Sequence, residues 1–370
     1  MLVDDSAVVR GLVARWLADE PDFAVVASVS NGLLAVRNVR TCGAEIAVLD
    51  IEMPVMDGID ALPRMLAEVP DLRVVMSSTL TRKGAEITVK AMQLGAADYV
   101  AKPEARGDLA GSDAFKRELI GKLRALGQSH RGRRPAPGAT RPAPFTAAAQ
   151  ARSAPSAFRA AHDAAGGLSL RRPGRARPAV LAIGSSTGGP QALFRFFTGL
   201  GGPPTVPVVI TQHMPPAFTA ILAEHLSRIS GIHAAEARDG DVLEAGKVFV
   251  APGDHHMTIV SDGLRKTIRL DQGAPENFCR PAVDPMFRSL AAAYGPAVLA
   301  LVLTGMGQDG LLGGRVLVDA GATIVAQDEA SSVVWGMPGA VANAGLCAAV
   351  EPIEALPRVV SRLLAAGGAA

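Results

Sequence analysis

Cysteine and aromatic residues are scarce in this chain: three Cys, and only 4% Phe, Trp and Tyr together. Cys42, Cys279 and Cys347 are odd in number, far apart, and without partners at metal-ligand spacing, which excludes a disulfide framework and a zinc site. They read as buried thiols. No apolar run reaches the ~18 residues of a membrane helix, so direct membrane insertion is not expected. Met1-Leu2-Val3-Asp4-Asp5 has neither the basic region nor the apolar stretch of a signal peptide, and the expected localisation is cytoplasmic. The arginines of residues 129–178 suit nucleic acid or anionic lipid by charge, but with almost no aromatics there except Phe145 and Phe158 a charge-extended tether is the expected reading.

What is present is a folding composition, 49% hydrophobic and 19% charged over 370 residues, enough for two or three domains. The charge is unevenly divided. Residues 1 to 128 hold 15 basic and 18 acidic side chains, residues 129 to 178 hold 10 and 1, and residues 179 to 370 hold 12 and 16. In the basic strap 31 of 50 residues are Ala, Pro or Arg, without periodic apolar spacing. It reads as a disordered tether. The expected division is therefore residues 1–127, a linker over 128–178, and a second body over 179–366.

In the first body short apolar strands alternate with helical spacing. Leu2-Val3 leads into Asp4-Asp5-Ser6 and then a helix; Phe23 to Ala27 reads as a strand and Gly32 to Arg40 as a helix. Ile46 to Leu49 ends at Asp50, Val74 to Met76 runs into Ser77-Ser78, and Asp98 to Ala101 runs into Lys102. Wholly apolar strands separated by helices imply a doubly wound parallel sheet, with ligands beyond the carboxyl ends of its strands. Asp4, Asp5, Asp50, Ser78 and Lys102 all fall there. Any one of the acidic residues is explained by helix capping. Together, three carboxylates beside an ammonium suit Mg²⁺ and a phosphoryl group, and an aspartate can itself accept that group.

VDDSAVVR at 3–10, LDIEMPVMDGID at 49–60, Ser78 and YVAKP at 99–103 resemble the receiver domain of two-component response regulators. The resemblance implies a flavodoxin-like fold, phosphorylation of Asp50, and Mg²⁺ held by Asp4, Asp5, Asp50 and the Glu52 backbone. It also implies that Ser78 and Lys102 meet the phosphoryl group and that Tyr99 reorients as a switch.

In the second body Ala179 to Ile183 is a strand, GSSTGG at 184–189 a tight turn, and Gln191 to Phe197 a helix, so Ser186 lies at a strand-to-helix elbow. Glycines and a helix start there suit either a nucleophilic hydroxyl beside an oxyanion hole or a phosphate cradle. The pattern by itself leaves both open. A strand over Val206 to Thr211 ends near His213, and one over Ala297 to Leu303 leads to Asp309. If those strands are parallel neighbours, Asp309 orients His213 and His213 deprotonates Ser186. Among rival bases, His225 falls in a helical run and His233 and His255-His256 in loops without an elbow serine.

GSSTGGPQAL, ITQHMPPAFT, VFVAPGDHHM, RPAVDPMFRSLA, LVLTGMGQDG and VVWGMPGAV are similar to the catalytic domain of the chemotaxis protein-glutamate methylesterases, the CheB family. The similarity implies a Rossmann-like hydrolase with Ser186 as nucleophile, His213 as base and Asp309 as orienting acid. Thr187 and Met306 fall on the oxyanion or substrate side, and no cofactor is implied for ester hydrolysis. The implied partners are chemoreceptors, with demethylation of glutamate esters and deamidation of glutamines, and a chemotaxis histidine kinase as phosphodonor. Two other classes fare worse. A DNA-binding output is disfavoured by the acidic second body and its strand-elbow-helix units. A nucleotide-dependent enzyme is disfavoured because GSSTGG lacks a P-loop lysine and the full G-x-G-x-x-G.

Overall fold

The computed structural model describes residues 1–79, 81–102, 109–132, 167–263 and 265–365. Of the expected linker over 128–178, residues 133–166 lie outside them.

The first body is a parallel sheet with helices on both faces. Its strands are β1 (Leu2–Val3), β2 (Ser28–Val29), β3 (Ile46–Asp50), β4 (Arg73–Ser78) and β5 (Asp98–Ala101), in the order β2-β1-β3-β4-β5. Its helices are α1 (Ala7–Ala18), α2 (Gly32–Cys42), α3 (Gly58–Glu68), α4 (Arg82–Gln93) and α5 (Leu109–Gly132). Four of them begin at a side chain that accepts a backbone N–H, Ser6, Asn31, Asp57 and Thr81. The strand order reverses between β1 and β3, which opens a crevice at their carboxyl ends.

One strand differs from expectation. Phe23 to Ala27 is not a strand; β2 is confined to Ser28–Val29, while Val25 and Val26 stay exposed. The reason is pairing: β1 is two residues long and offers partners only to Ser28 and Val29.

The second body is a seven-stranded parallel sheet. Its strands are β6 (Val180–Ser185), β7 (Val208–Gln212), β8 (His233–Glu236), β9 (Lys247–Val250), β12 (Val298–Val302), β13 (Thr323–Gln327) and β14 (Ala349–Glu351), ordered β14-β13-β12-β6-β7-β9-β8. A separate antiparallel hairpin joins β10 (His256–Asp262) to β11 (Arg265–Asp271). Helices α6 (Gly189–Gly199), α7 (Pro216–Ser230), α8 (Val283–Tyr294), α9 (Leu311–Asp319), α10 (Met337–Asn343) and α11 (Leu356–Ala365) cover the faces. β6 is flanked by β7 and β12 in parallel register, so the ends of the three strands carrying the candidate triad are neighbours. His233 and His256 begin strands rather than lying in loops.

Two stretches inside the expected 128–178 linker are ordered. α5 runs on to Gly132, because Phe115, Leu119, Leu123 and Leu126 recur on one buried face. At the other end Leu168 and Leu170 pack against the second body's core, Arg171 N–H donates to the Cys347 carbonyl and Gly174 N–H to Thr323 Oγ1.

Candidate active site and receiver pocket

β6 delivers the elbow. Gly188 has φ +75°, and a Cβ there would lie 2.5 Å from the Val333 side chain; a Cβ on Gly305 would lie 2.9 Å from that of Ser186. Both positions require glycine for the elbow to close. Gln212, at the end of β7, ties the elbow to the histidine strand. Its Oε1 accepts from Ser185 Oγ at 2.7 Å, and its Nε2 donates to the carbonyls of Ser186 and His213.

His213 and Asp309 come together as expected, with His213 Nε2 2.8 Å from Asp309 Oδ2. Asp309 is buried and also accepts from Val283 N–H on Oδ2 and from Asn277 Nδ2, Asp284 N–H and Gly310 N–H on Oδ1. Burial pushes its carboxyl up, but His213 and these N–H donors outweigh it and hold the pKa below the usual value. His213 is driven the other way. Burial disfavours its charge, yet the Asp309 carboxylate and then the Cys279 sulfur outweigh that and raise it to about 10.

Ser186 is the member the structure does not engage: among the described residues its hydroxyl makes no hydrogen bond. The second ring nitrogen of His213, Nδ1, faces Cys279 Sγ at 3.3 Å. Cys279 is thus half-buried against the imidazole, not the plain buried thiol expected, whereas Cys347 is buried. Thr187 is buried, and Met306 is 40% exposed.

Residue-by-residue reading missed Asn277, Cys279, Asp284 and Gln212. The buried Asp284 backs the pair: Oδ1 accepts Gly310 and Gly313 N–H and Oδ2 accepts Asn277 Nδ2. Its own pKa is raised, first by burial. Gln212 stands beside His213 at a strand end, which was the available signal; the others sit in irregular chain or at a helix start.

At the receiver edge Asp4, Asp5 and Asp50 place carboxylate oxygens within 4.8 Å of one another. Lys102 Nζ lies 2.9 Å from Asp4 Oδ2 and 2.7 Å from Asp50 Oδ1, and Asp50 Oδ1 also accepts Ile51 N–H. Burial raises the Asp50 pKa more than Lys102 lowers it. Hard oxygens at this spacing fit a small divalent cation. Ser78 Oγ donates to backbone carbonyls of Thr79 and Gly84, not to Asp50, and Glu52 is exposed.

Tyr99 is buried and stacks on Phe218 of α7, ring centroids 4.6 Å apart. Lys122 holds it from behind, donating to the Tyr99 carbonyl at 2.7 Å with its ammonium 4.8 Å from the ring centroid. The receiver meets the second body at further points. Gln191 of α6 donates to the Ala96 carbonyl, and Arg82 lies 3.6 Å from Glu224. On α5, Phe115 and Leu119 share an apolar cluster with Val333 and Val334, the former abutting Gly188 of the elbow. A cleft of about 360 Å³ beside the elbow is lined by Gly188, Thr304 and Gln327, and by Arg73 of the receiver.

Residues 1–112 match the response regulator receiver domain, and residues 181–360 match CheB methylesterase. A protein-glutamate methylesterase/protein-glutamine glutaminase of Paramagnetospirillum magneticum is 54% identical over 99% of this chain and 96% of its own length. One from Rhodospirillum rubrum is 50% identical over 98% and 94%. The crystal structure of the Thermotoga maritima CheB methylesterase catalytic domain is 36% identical, with a TM-score of 0.48, over 50% of this chain and 98% of that one. Two doubly wound parallel sheets, one matching a receiver and one a methylesterase, define the class as a receiver-linked carboxyl-ester hydrolase. The chain belongs to the protein-glutamate methylesterase/protein-glutamine glutaminase family. No helix among the described residues is long and apolar enough to cross a membrane.

Proposed function

We propose that this chain demethylates glutamate γ-methyl esters on chemoreceptors, and deamidates glutamines there, under the control of phosphorylation at Asp50. The observation that carries the hydrolytic half is the 2.8 Å contact of His213 with Asp309 at the sheet edge that bears the Ser186 elbow. Ser186 Oγ attacks the γ-carbonyl carbon as His213 takes its proton. Collapse breaks the carbon–oxygen bond, and methanol leaves with the proton from His213. Water, deprotonated by His213, then cleaves the acyl-Ser186 ester and releases the γ-carboxylate. With a glutamine, ammonia leaves in place of methanol. Asp309 holds Nε2, so Nδ1 is the nitrogen left to serve Ser186, and the serine reaches it as the Cys279 sulfur gives way. Thr187 and Met306 line the side where the oxyanion develops.

In the receiver, Asp4, Asp5 and Asp50 with the Glu52 backbone would hold Mg²⁺, whose charge offsets that of the carboxylates and the phosphoryl oxygens. Phosphorylation of Asp50, with a chemotaxis histidine kinase as donor, draws Lys102 and Ser78 toward the new oxygens. Tyr99 couples that shift to α7 through its stack on Phe218, and the α5 contact beside the elbow loosens. The test is methanol release from methyl-labelled receptor membranes, with and without a small phosphodonor. Stimulated release by the native chain and none by Ser186→Ala is expected; near-normal release by Ser186→Ala overturns the nucleophile assignment.

A further inference from the structure

Phe278 is the most exposed large apolar side chain among the described residues, at 103% of its reference area. Its place in the chain is more telling than its exposure. Glu276 and Cys279 exchange both backbone hydrogen bonds, 3.1 and 2.8 Å, which makes Asn277-Phe278 a two-residue hairpin loop. Both loop residues have positive φ, +51° and +62°. That is the type I′ pattern, for which Asn-Gly is the unstrained pair. Here a bulky aromatic occupies the glycine position, a genuine outlier of backbone conformation. Neither feature benefits the fold: the ring buries nothing, and a glycine would relieve the backbone. An outlier of this kind, seen first and explained second, points to a functional constraint.

The flanking residues locate that function. Asn277 Nδ2 lies 2.9 Å from Asp309 Oδ1, and Cys279 Sγ lies 3.3 Å from His213 Nδ1. The hairpin is therefore pinned to the histidine–aspartate pair by the residues on either side of Phe278. Glu276 adds an anchor, pairing with Arg288 of α8 at 2.5 Å. A rigid arm thus presents one phenyl ring to solvent at the rim of the catalytic pair, and the ring remains exposed with the receiver docked.

We propose that Phe278 is a substrate-anchoring residue, whose ring takes an apolar side chain flanking the esterified glutamate on the receptor. The inference rests on the proposed methylesterase function and concerns the same site. Burial of a phenyl group against an apolar neighbour corresponds to a change of roughly 10- to 100-fold in binding.

The experiment compares the native full chain, Phe278→Gly and Phe278→Leu, all with a small phosphodonor. Three quantities are read: kcat/KM for methanol release from methylated receptor membranes, the rate of Ser186 labelling by a small fluorophosphonate, and the melting temperature. Phe278→Gly is expected to lower kcat/KM on receptor at least ~10-fold, mainly through KM, with unchanged labelling and an equal or higher melting temperature. Phe278→Leu recovers most of the loss. Native kcat/KM in Phe278→Gly overturns the inference. A fall in labelling or in melting temperature also overturns it, by making the turn a support for the catalytic pair. If the native chain labels normally but releases no methanol, the methylesterase reading itself fails and this inference falls with it, a result distinct from the other two.

Discussion

Asp50 and Asp309 end in equivalent places, buried beyond the carboxyl ends of strands in doubly wound sheets, yet their surroundings drive them apart. Asp309 accepts five hydrogen bonds spread over both oxygens, and its pKa is lowered against the effect of burial. Asp50 has one oxygen held by Lys102 and the Ile51 N–H, and burial raises its pKa. A saturated carboxylate is a fixture: it has no lone pair to spare and serves to orient an imidazole. One that is under-solvated, and among the described residues shares the Lys102 ammonium with Asp4, keeps one oxygen without a hydrogen-bond partner there.

The two carboxylates differ most in what their loss does to turnover. Ser186→Ala and His213→Ala are each expected to lower kcat at least ~10³-fold, and Asp309→Ala less, because a misplaced imidazole keeps some basicity. Asp309→Ala also strands the N–H donors and the imidazolium it serves, so a stability loss of about 3–5 kcal/mol is expected in denaturant titrations. Asp50→Asn, by contrast, should leave basal turnover and stability close to native while abolishing stimulation by a phosphodonor. Equal stability losses at the two sites would erase the distinction.

The docking of one region on the other comes next in size. If it is favoured by ~1 to 3 kcal/mol, releasing it raises basal turnover roughly five- to 150-fold. A fragment of residues 167–370, which keeps the Leu168 to Gly174 stretch packed on the second body, or the full chain with Phe218→Ala, is expected to exceed the unphosphorylated native chain in methanol release. A fragment no faster than that chain would mean that phosphorylation builds the site rather than uncovering it.

The smallest effect sharpens the contrast at His213. With its pKa at about 10, the neutral base accumulates only in alkaline solution, so kcat should rise with pH toward that value. The sign for stability is opposite. The folded state binds this proton more tightly than the unfolded chain, so the contribution is fully present below the unfolded value of about 6.5 and is lost as pH rises through about 10. Cys279→Ala removes the sulfur's share, and the midpoint of the kcat profile should move down. An unmoved midpoint would assign the whole rise to Asp309.

Much of both sites was legible because parallel sheets gather their chemistry at strand ends. An apolar run followed by a polar residue marks each of Asp50, Lys102, His213 and the Ser186 elbow; register makes the ends of β6 and β7 neighbours, and one strand, β4, separates the ends of β3 and β5. Asn277, Cys279 and Asp284 escaped that logic. The first two lie in a hairpin between elements, and Asp284 reads as an ordinary acidic residue in the first turn of a helix. The β2 register escaped too, since Phe23 to Ala27 has strand composition and lacks only a partner of sufficient length.

By itself, then, the sequence determined the two parallel sheets, their switch-point crevices, and the residues delivered there, because hydrophobic periodicity and glycine turns act over a few neighbours. Tertiary structure alone decided which nitrogen of His213 Asp309 holds, that Cys279 occupies the other, and that Tyr99 stacks on Phe218 across the two bodies. Those contacts join residues 96, 66 and 119 positions apart. Each depends on ångström-scale placement of separate elements, which no local pattern encodes.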